Sequence, residues 1–525
     1  MSIQTLSPTE TREIISHDPS TGAENGRVPL MDATEVAAAV NRGRIAQPAW
    51  AKLSYRERAR FILRARKIVL DQLEEIAKLI SRETGKPASE AISMEIVPTL
   101  DLMHYFAHHT RKLLDRRKID IGQYNFMARS SYIVYKPLGV VGIISPWNFP
   151  WATPLDEVVM ALMAGNAVVV KPSELTPLTA LKIAAVFKQA QLPEGLLQIV
   201  TGDGSTGAAL VDAGVNKIMF TGSVKTGKRV AEVAAKHLTP VVLELGGKDP
   251  MIVLEDADLE NAVRAAIWGA FCNSGQACAS IERCYVHESI AEKFTELVVE
   301  ETRRLKQDEA STDAIDIGAM TNEQQLLIVE DHVADAIERG ATVRTGGHRL
   351  ENGGGWFHQP TVVTGVDHSM KLMRDETFGP VLPIMTFKTD EEAVRLANDS
   401  IYGLTASVFT RDIARGRRLA EQIDAGTVMI NEVVYTHAVA QTPWGGVKQS
   451  GYGRTHGHLG LLELVSAQHI HVNAMPVFSD VWWFPYTRQA GELFRAFAKR
   501  FTNGSLLSSS LLLPQIIRRY LDRRA

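Results

Sequence analysis

Cysteine is scarce in this chain, and what is missing around the few thiols narrows the possibilities first. The 525 residues hold three cysteines, none in a C-x-x-C pair, so there is neither a disulfide framework nor zinc-ligand spacing, and no metal is expected. No apolar run reaches the ~18 residues that a spanning helix needs. The N-terminus, Met1 to Ser20, lacks the basic-then-apolar order of a secretory signal, so the expected location is the cytoplasm, a reducing compartment that suits a working thiol. A strong charge of either sign is also absent. The net charge of −3 gives no electrostatic case for a nucleic-acid partner. Internal repeats and low-complexity tracts are lacking too.

What is present is the composition of a soluble globular enzyme, 45% hydrophobic and 22% charged with 39 glycines. Its length exceeds one ordinary core, so two or three domains are expected. The stretch Phe271 to Ser280, F-C-N-S-G-Q-A-C-A-S, puts Cys278 on a turn directly after an Ala-rich helical pattern that begins near Asp258. A thiol there is useful only with a base, an oxyanion donor and a held substrate. Cys272 and Cys284 read as small buried apolar groups.

Residues 1–16 read as a loose arm. One long helix is expected from Ser54, with Glu57 completing a capping box and Gly85 as the stop. Ser131–Tyr135 alternates as an exposed strand. Short apolar strands then follow at Val140–Ile144, Ala167–Val170, Leu197–Val200, Lys217–Phe220 and Val241–Leu243, separated by helices. A second series after Gly246-Gly247 comprises Arg283–Val286, Thr342–Thr345, Val381–Phe387, Ala406–Phe409 and Thr427–Ile430. Runs this short and apolar suit buried parallel strands. The fold class is therefore α/β, with two doubly wound domains meeting near residue 246 and ligands expected at the carboxyl ends of the strands.

Three stretches have phosphate-binding character. Gly202 to Gly207 matches G-x-G-x-x-G through Gly204 and Gly207, but no acidic residue follows at the required distance, and a plain strand-to-helix turn explains it equally well. Gly222 to Arg229 approaches a P-loop but has Arg229 where a magnesium-binding Ser or Thr must stand, which leaves a strand end and helix start, Phe220-Thr221-Gly222-Ser223, suited to pyrophosphate. Lys171-Pro172-Ser173-Glu174 ends a strand and suits ribose hydroxyls. There Glu174 would repel a 2′-phosphate and favour NAD over NADP.

Lys171-Pro172-Ser173-Glu174 and Phe220-Thr221-Gly222-Ser223, together with Pro146-Trp147-Asn148-Phe149-Pro150, Leu243-Glu244-Leu245-Gly246-Gly247, Phe271 to Cys278 and Glu376-Thr377-Phe378-Gly379-Pro380, closely resemble the NAD(P)-dependent aldehyde dehydrogenase superfamily, in family order from about residue 17 to 474. The resemblance implies a cofactor domain (17–124 and 139–246), a catalytic domain (247–446), a small β oligomerisation flap (125–138 and 462–474), and a homodimer or homotetramer. It makes Cys278 the nucleophile, Asn148 with the Cys278 backbone N–H the oxyanion donor, and Glu244 the base that hydrolyses a thioester. Members that pass the acyl group to coenzyme A typically lack this glutamate, so Glu244 implies release of a carboxylic acid. Ser145, Trp147, Leu245, Glu376 and Phe378 join the cofactor residues named above, with NAD expected and NADP as the alternative.

Three departures stand out. Where the family often places a Lys and a Glu that relay protons, Glu157 and His458 are expected; that pair either shuttles a proton near neutral pH or leaves the task to water. No arginine adjoins the cysteine motif, and Trp151, Phe271, Ile281, Tyr435 and Trp444 point to a tunnel for an aliphatic or aromatic aldehyde. The alternatives are a semialdehyde or NADP-dependent enzyme, or a membrane-associated scaffold without turnover. Finally, residues 475–525 extend beyond the family pattern. After Met475, eight Arg or Lys face three Asp or Glu, a surplus of five that leaves −8 on the preceding residues. Ala490, Leu493, Phe494, Phe497 and Phe501 would share one helical face and Arg488, Arg495 and Lys499 another. That pattern fits peripheral membrane contact or packing across a subunit boundary.

Overall fold

The computed structural model describes residues 13–308, 314–350, 355–474, 480–500, 507 and 510–522. Two compact units emerge, one of residues 1–113 and 137–464, the other of residues 114–136 and 465–525.

In the first unit, Val- and Ile-rich runs with no polar face are stable only if covered on both sides, and they form two sheets. The first sheet runs, in spatial order, Leu197–Ile199, Ala167–Lys171, Val140–Ile144, Lys217–Thr221 and Val241–Glu244, all parallel, with Gly451–Tyr452 closing one edge antiparallel. The strand earliest in sequence lies mid-sheet, and its successors build outward to both sides. A crevice therefore opens beyond the carboxyl ends of Val140–Ile144 and Lys217–Thr221, the place where such sheets take ligands.

The second sheet has seven strands: Thr342–Thr345, Thr361–Thr364, Val381–Phe387, Ile281–His287, Asp249–Val253, Thr405–Phe409 and Thr427–Ile430. Only its first pair is antiparallel. Two of its strands escape a sequence reading. Asp249–Val253 opens with Asp-Pro, which reads as a turn, and Thr361–Thr364 follows a Pro.

Two expectations need correction. The long helix after Ser54 is two helices, Tyr55–Asp71 and Leu73–Thr84. Gln72 leaves helical geometry (φ −114°, ψ 19°), which lets Ile62 and Val69 on one segment and Ile76 and Ile80 on the next all reach the core. The expected capping box at Ser54 and Glu57 and the left-handed Gly85 stop are both present. The arm also ends earlier than expected, because Glu13–His17 pairs antiparallel with Glu24–Pro29.

The second unit carries a three-stranded sheet in the order Val465–Asn473, Arg129–Pro137, Arg117–Ile119. Its described residues also form the helices Arg488–Arg500 and Leu513–Asp522.

Candidate active site

Within the first unit, a cavity of about 750 Å³ is lined by residues from both sheets' loops, including Cys278, Asn148, Glu244 and Glu376. Helix Leu259–Phe271, capped by Asp258 through the Asn261 N–H, delivers the cysteine loop. Asn273, Ser274 and Gly275 follow with φ of 52°, 54° and 71°, a run of left-handed residues that turns the chain sharply. Only glycine fits at 275, since a Cβ there would meet the Gly379 carbonyl oxygen at 2.1 Å. A Cβ on Gly247 would meet the Cys278 carbonyl at 2.3 Å, so the loop after Glu244 lies directly against the thiol's backbone. Cys278 is half-buried. Burial, reinforced by the Asp249, Glu244 and Glu376 carboxylates, pushes its thiol up. The thiol therefore stays protonated in the free protein and needs a base or a nearby cation to ionise.

Asn148 donates from Nδ2 to the Gln276 carbonyl at 2.9 Å, which fixes the amide beside the cysteine loop. The Asn148 backbone carbonyl accepts from Lys86 Nζ at 2.7 Å and Asn273 Nδ2 at 3.0 Å. Lys86 pairs with Glu95 at 2.7 Å, both side chains fully buried. Glu95 in turn accepts the backbone N–H groups of Trp151 and Ala152 at the start of helix Ala152–Ala164. Lys86 and Glu95 escape a sequence reading. Lys86 sits in the turn after Gly85 and Glu95 on the helical segment Ala91–Ile96; each alone looks solvated, and no local signal shows that tertiary structure seals them together.

Glu244 ends its strand buried, and neither carboxylate oxygen has a hydrogen-bond partner. Burial, then the Glu157 charge, raises its pKa well above the usual carboxylate range. Helix Ala152–Ala164 is buried at every residue except Thr153, so its Asp156 and Glu157 sit in apolar surroundings. Burial pushes Glu157 up to about 8, with Asp156 adding to it, and pushes Asp156 itself up to about 7. His456 Nε2 lies 3.2 Å from Asp156 Oδ2, within reach to share a proton, and the His437 ring packs 4.8 Å from that of His456. Burial holds both imidazoles down to about 4, and hence neutral. Ligand atoms of Asp156, His437 and His456 lie within 4.8 Å of one another, a donor set that sequence spacing did not reveal.

Burial also drives Glu376 and Asp249 up to about 8 and Glu90 to about 7. Ordinary carboxyls in an unfolded chain lose their protons near pH 4. The folded chain keeps these protons to pH 7–8, so it binds more of them than the unfolded chain across that window. Stability contributed by these groups is complete below about pH 4 and declines as pH rises toward 8. Calorimetry should show Tm falling by several degrees from pH 5.5 to 8.

Of the expected cofactor residues, Trp147, Thr221, Gly222, Ser223, Leu245, Glu376 and Phe378 line the cavity. Ser145, Lys171, Ser173, Glu174, Gly204, Gly207 and Phe220 do not, but cluster along the carboxyl ends of the first sheet. Lys171 Nζ pairs with the exposed Glu174 at 3.2 Å, and a Cβ on Gly207 would lie 3.9 Å from Lys171 Cδ. Ser223 caps helix Val224–Lys236, leaving the first N–H groups of that helix at the crevice. The buried Ser145 hydroxyl next to them has no partner. Glu376 accepts the Gly247 N–H at 2.9 Å, and Phe378, held at φ 51°, meets the Trp147 ring edge-on at 5.5 Å. An orphaned hydroxyl, a free helix start and a glycine-walled crevice fit a dinucleotide.

Two expectations about the site are corrected. His458 is exposed on the short helix Gly457–Leu462 and does not line the cavity; His456, two residues earlier, does. Of the expected tunnel residues, Tyr435 and Trp444 line the cavity, while Trp151, Phe271 and Ile281 are buried in the core. Met94, Val97, Trp268 and Val434 line it in their place. Arg283 is buried and donates to the Lys248, Leu396 and Ala397 carbonyls, so it cannot receive a substrate carboxylate.

A doubly wound sheet whose switch point opens toward a thiol-bearing cavity is the plan of a dinucleotide-dependent oxidoreductase. Comparison with known proteins agrees. Residues 6–470 match the model of the aldehyde dehydrogenase family. The chain is 40% identical over 484 residues to a 4,4'-diapolycopene aldehyde oxidase from Methylomonas sp, covering 92% of this chain and 90% of that one. It superposes with a TM-score of 0.84 on a Mycobacterium tuberculosis aldehyde dehydrogenase complexed with NAD+, at 36% identity, covering 89% and 95% of the two chains. An E. coli NADP dependent enzyme matches at TM-score 0.84 and 33% identity, covering 88% and 95%. This chain belongs to the aldehyde dehydrogenase family and is an NAD(P)-dependent oxidoreductase acting on aldehydes.

Proposed function

We propose that this enzyme oxidises an apolar aliphatic or aromatic aldehyde to its carboxylic acid with NAD, by covalent catalysis at Cys278 and hydrolytic deacylation. The Cys278 thiol gives its proton to cavity water as its sulfur adds to the aldehyde carbon, and the Asn148 amide with the Cys278 N–H stabilises the resulting oxyanion. The bound nicotinamide supplies the hydride acceptor. Loss of hydride from the thiohemiacetal carbon leaves a thioester on Cys278. Glu244 then takes a proton from water, whose oxygen attacks the thioester carbon and releases the acid and the thiol. The observation that carries this reading is the pair of buried, unpartnered oxygens on Glu244, facing the same cavity as Cys278. Among the described residues none hydrogen-bonds that carboxylate, so a water held there is its natural partner.

In this reading residues 17–124 and 139–246 hold the cofactor and 247–446 carry the nucleophile. Residues 125–138 and 462–474 form the flap of a cytoplasmic homodimer or homotetramer. The apolar substrate is supported by a cavity lining of Met94, Val97, Trp268, Val434 and Trp444 with no lysine or arginine among the described residues. A semialdehyde carboxylate would find no cation there. The 4,4'-diapolycopene aldehyde named for the Methylomonas relative is a substrate of the favoured kind. A panel of aldehydes tests this: kcat/KM should rise with apolar chain length and be lowest for succinate semialdehyde.

NAD preference rests on Glu174. Replacing it with Gln should raise kcat/KM for NADP on the order of tenfold, about 1.4 kcal/mol, within the worth of one like-charge contact near a protein surface. Steady-state rates with both cofactors measure it. A proton path from Glu244 through Glu157 and Asp156 to His456 replaces the Glu157–His458 pair. His456→Phe should slow deacylation about tenfold at pH 7 and shift its pH profile, while His458→Ala should leave the rate unchanged across pH 6–9.

A further inference from the structure

The C-terminal extension presents an apolar surface other than the one its helical pattern predicts. Ala490, Leu493 and Phe497 of helix Arg488–Arg500 are buried, the last two packed with Val481 and Leu512. Phe494 stacks with Trp482 at 5.7 Å, and Phe501 lies outside the described residues. The expected face is therefore occupied within the unit: two short helices and a loop are marginal alone, and this is the apolar area they have to pack together.

What remains outside is the loop ahead of that helix and one stripe of the next. Trp483, Phe484 and Tyr486 are 62%, 77% and 65% exposed. Leu511, Leu513 and Ile517 are exposed too, the last two one helical turn apart. Soluble surfaces seldom gather so many large apolar side chains in so short a segment. Nor is the loop a frayed end. Arg519, only 4% exposed, donates to the carbonyl oxygens of Trp483 at 3.0 Å and Pro485 at 2.6 Å. That ties the loop to helix Leu513–Asp522. The Phe484 and Tyr486 rings pack at 4.6 Å, and Tyr486 meets Phe494 edge-on at 6.1 Å. A buried arginine spent on two loop carbonyls holds three aromatic rings out into solvent.

We propose that this aromatic loop and the Leu513–Ile517 stripe form a docking face for an anionic lipid surface. Arg488, Arg495, Lys499, Arg500 and Arg518 are exposed on the same two helices. Exposed cations a few residues along the chain from exposed Trp, Tyr and Phe match a bilayer interface, where rings settle at headgroup depth and basic side chains meet phosphates. The rest of the chain carries −8 against +5 for residues after Met475, so the extension alone is drawn to an anionic surface. Among the described residues no helix is long and apolar enough to cross a membrane. The contact is peripheral. A second copy of the chain fits less well, because a twofold interface would set the basic residues of one extension against those of the other.

The test uses the full-length protein without substrate, so its failure leaves the proposed reaction untouched. Flotation is measured with vesicles of phosphatidylcholine and phosphatidylglycerol (about 7:3) and with phosphatidylcholine alone, beside quenching of tryptophan fluorescence by brominated lipid. The protein should float with the anionic vesicles, with its tryptophan quenched, at least tenfold more than with neutral ones. Raising salt from about 0.1 M to 0.5 M should weaken binding, since the Debye length falls below the reach of these contacts. Trp483→Ser/Phe484→Ser/Tyr486→Ser should reduce binding at least tenfold with melting temperature and elution volume unchanged. Arg495→Gln/Lys499→Gln should reduce it by roughly fivefold per residue on anionic vesicles. No flotation by the wild type, or flotation indifferent to both variants, would overturn the proposal. A triple variant that elutes as a smaller species would overturn it too, by making the loop a subunit contact.

Discussion

Glu244→Gln should leave an enzyme that completes its first half-reaction and then stops. Mixed with NAD and excess aldehyde, it should release one equivalent of NADH per active site in a burst, and the steady rate should fall about a thousandfold. The magnitude follows from general-base catalysis, commonly worth ~10²–10⁴. The glutamine is nearly isosteric and should not disturb a site where neither carboxylate oxygen has a partner to lose. Intact-mass spectrometry of the stalled enzyme should find the acyl group on Cys278, and Cys278→Ala should show neither burst nor adduct. A Glu244→Gln enzyme that turns over at the wild-type rate would mean that another group recruits the water. Because burial raises the pKa of Glu244, followed by the charge of Glu157, deacylation should quicken as pH rises, since the base works only once deprotonated.

The second large effect lies away from the reacting atoms. Lys86→Met removes the cation from a fully buried pair and leaves Glu95 with no counter-charge. Breaking one side of such a pair costs ~3–5 kcal/mol, mainly through the stranded charge. Denaturant titration of the variant should show a loss of that size. Adding Glu95→Gln should recover part of it, because the residual group is then neutral. Activity should fall even where the protein stays folded, since Lys86 also holds the Asn148 carbonyl and lies 4.2 Å over the Phe149 ring. The backbone that carries the proposed oxyanion donor would lose one of its anchors.

The contrast between Asn148 and Lys86 shows what a sequence can disclose. Asn148, Glu244 and Cys278 stand in short motifs, and the strands Val140–Ile144, Val381–Phe387 and Thr427–Ile430 form where apolar runs sit between turn residues. These are local signals. Lys86 meets Asn148 across 62 residues, and Asp156 meets His456 across 300. No periodicity encodes such a meeting. His456 lines the cavity where the sequence points to His458 for a related reason: which of two nearby histidines faces inward depends on the positive φ at His456 and the turn after it. The extension was half legible. Its amphipathic helix was visible, but which side would be consumed depended on a second helix and on Arg519.

The raised pKa of the cysteine has a consequence for the enzyme's lifetime. A thiolate is what electrophiles and peroxides attack, whereas a protonated thiol reacts slowly with both. With the Cys278 thiol pushed up by burial and by the acids around it, the idle enzyme should resist alkylation and oxidation at neutral pH. Iodoacetamide should inactivate it slowly at neutral pH and much faster in alkali. The surroundings that make the proposed nucleophile hard to ionise would also preserve it between substrates.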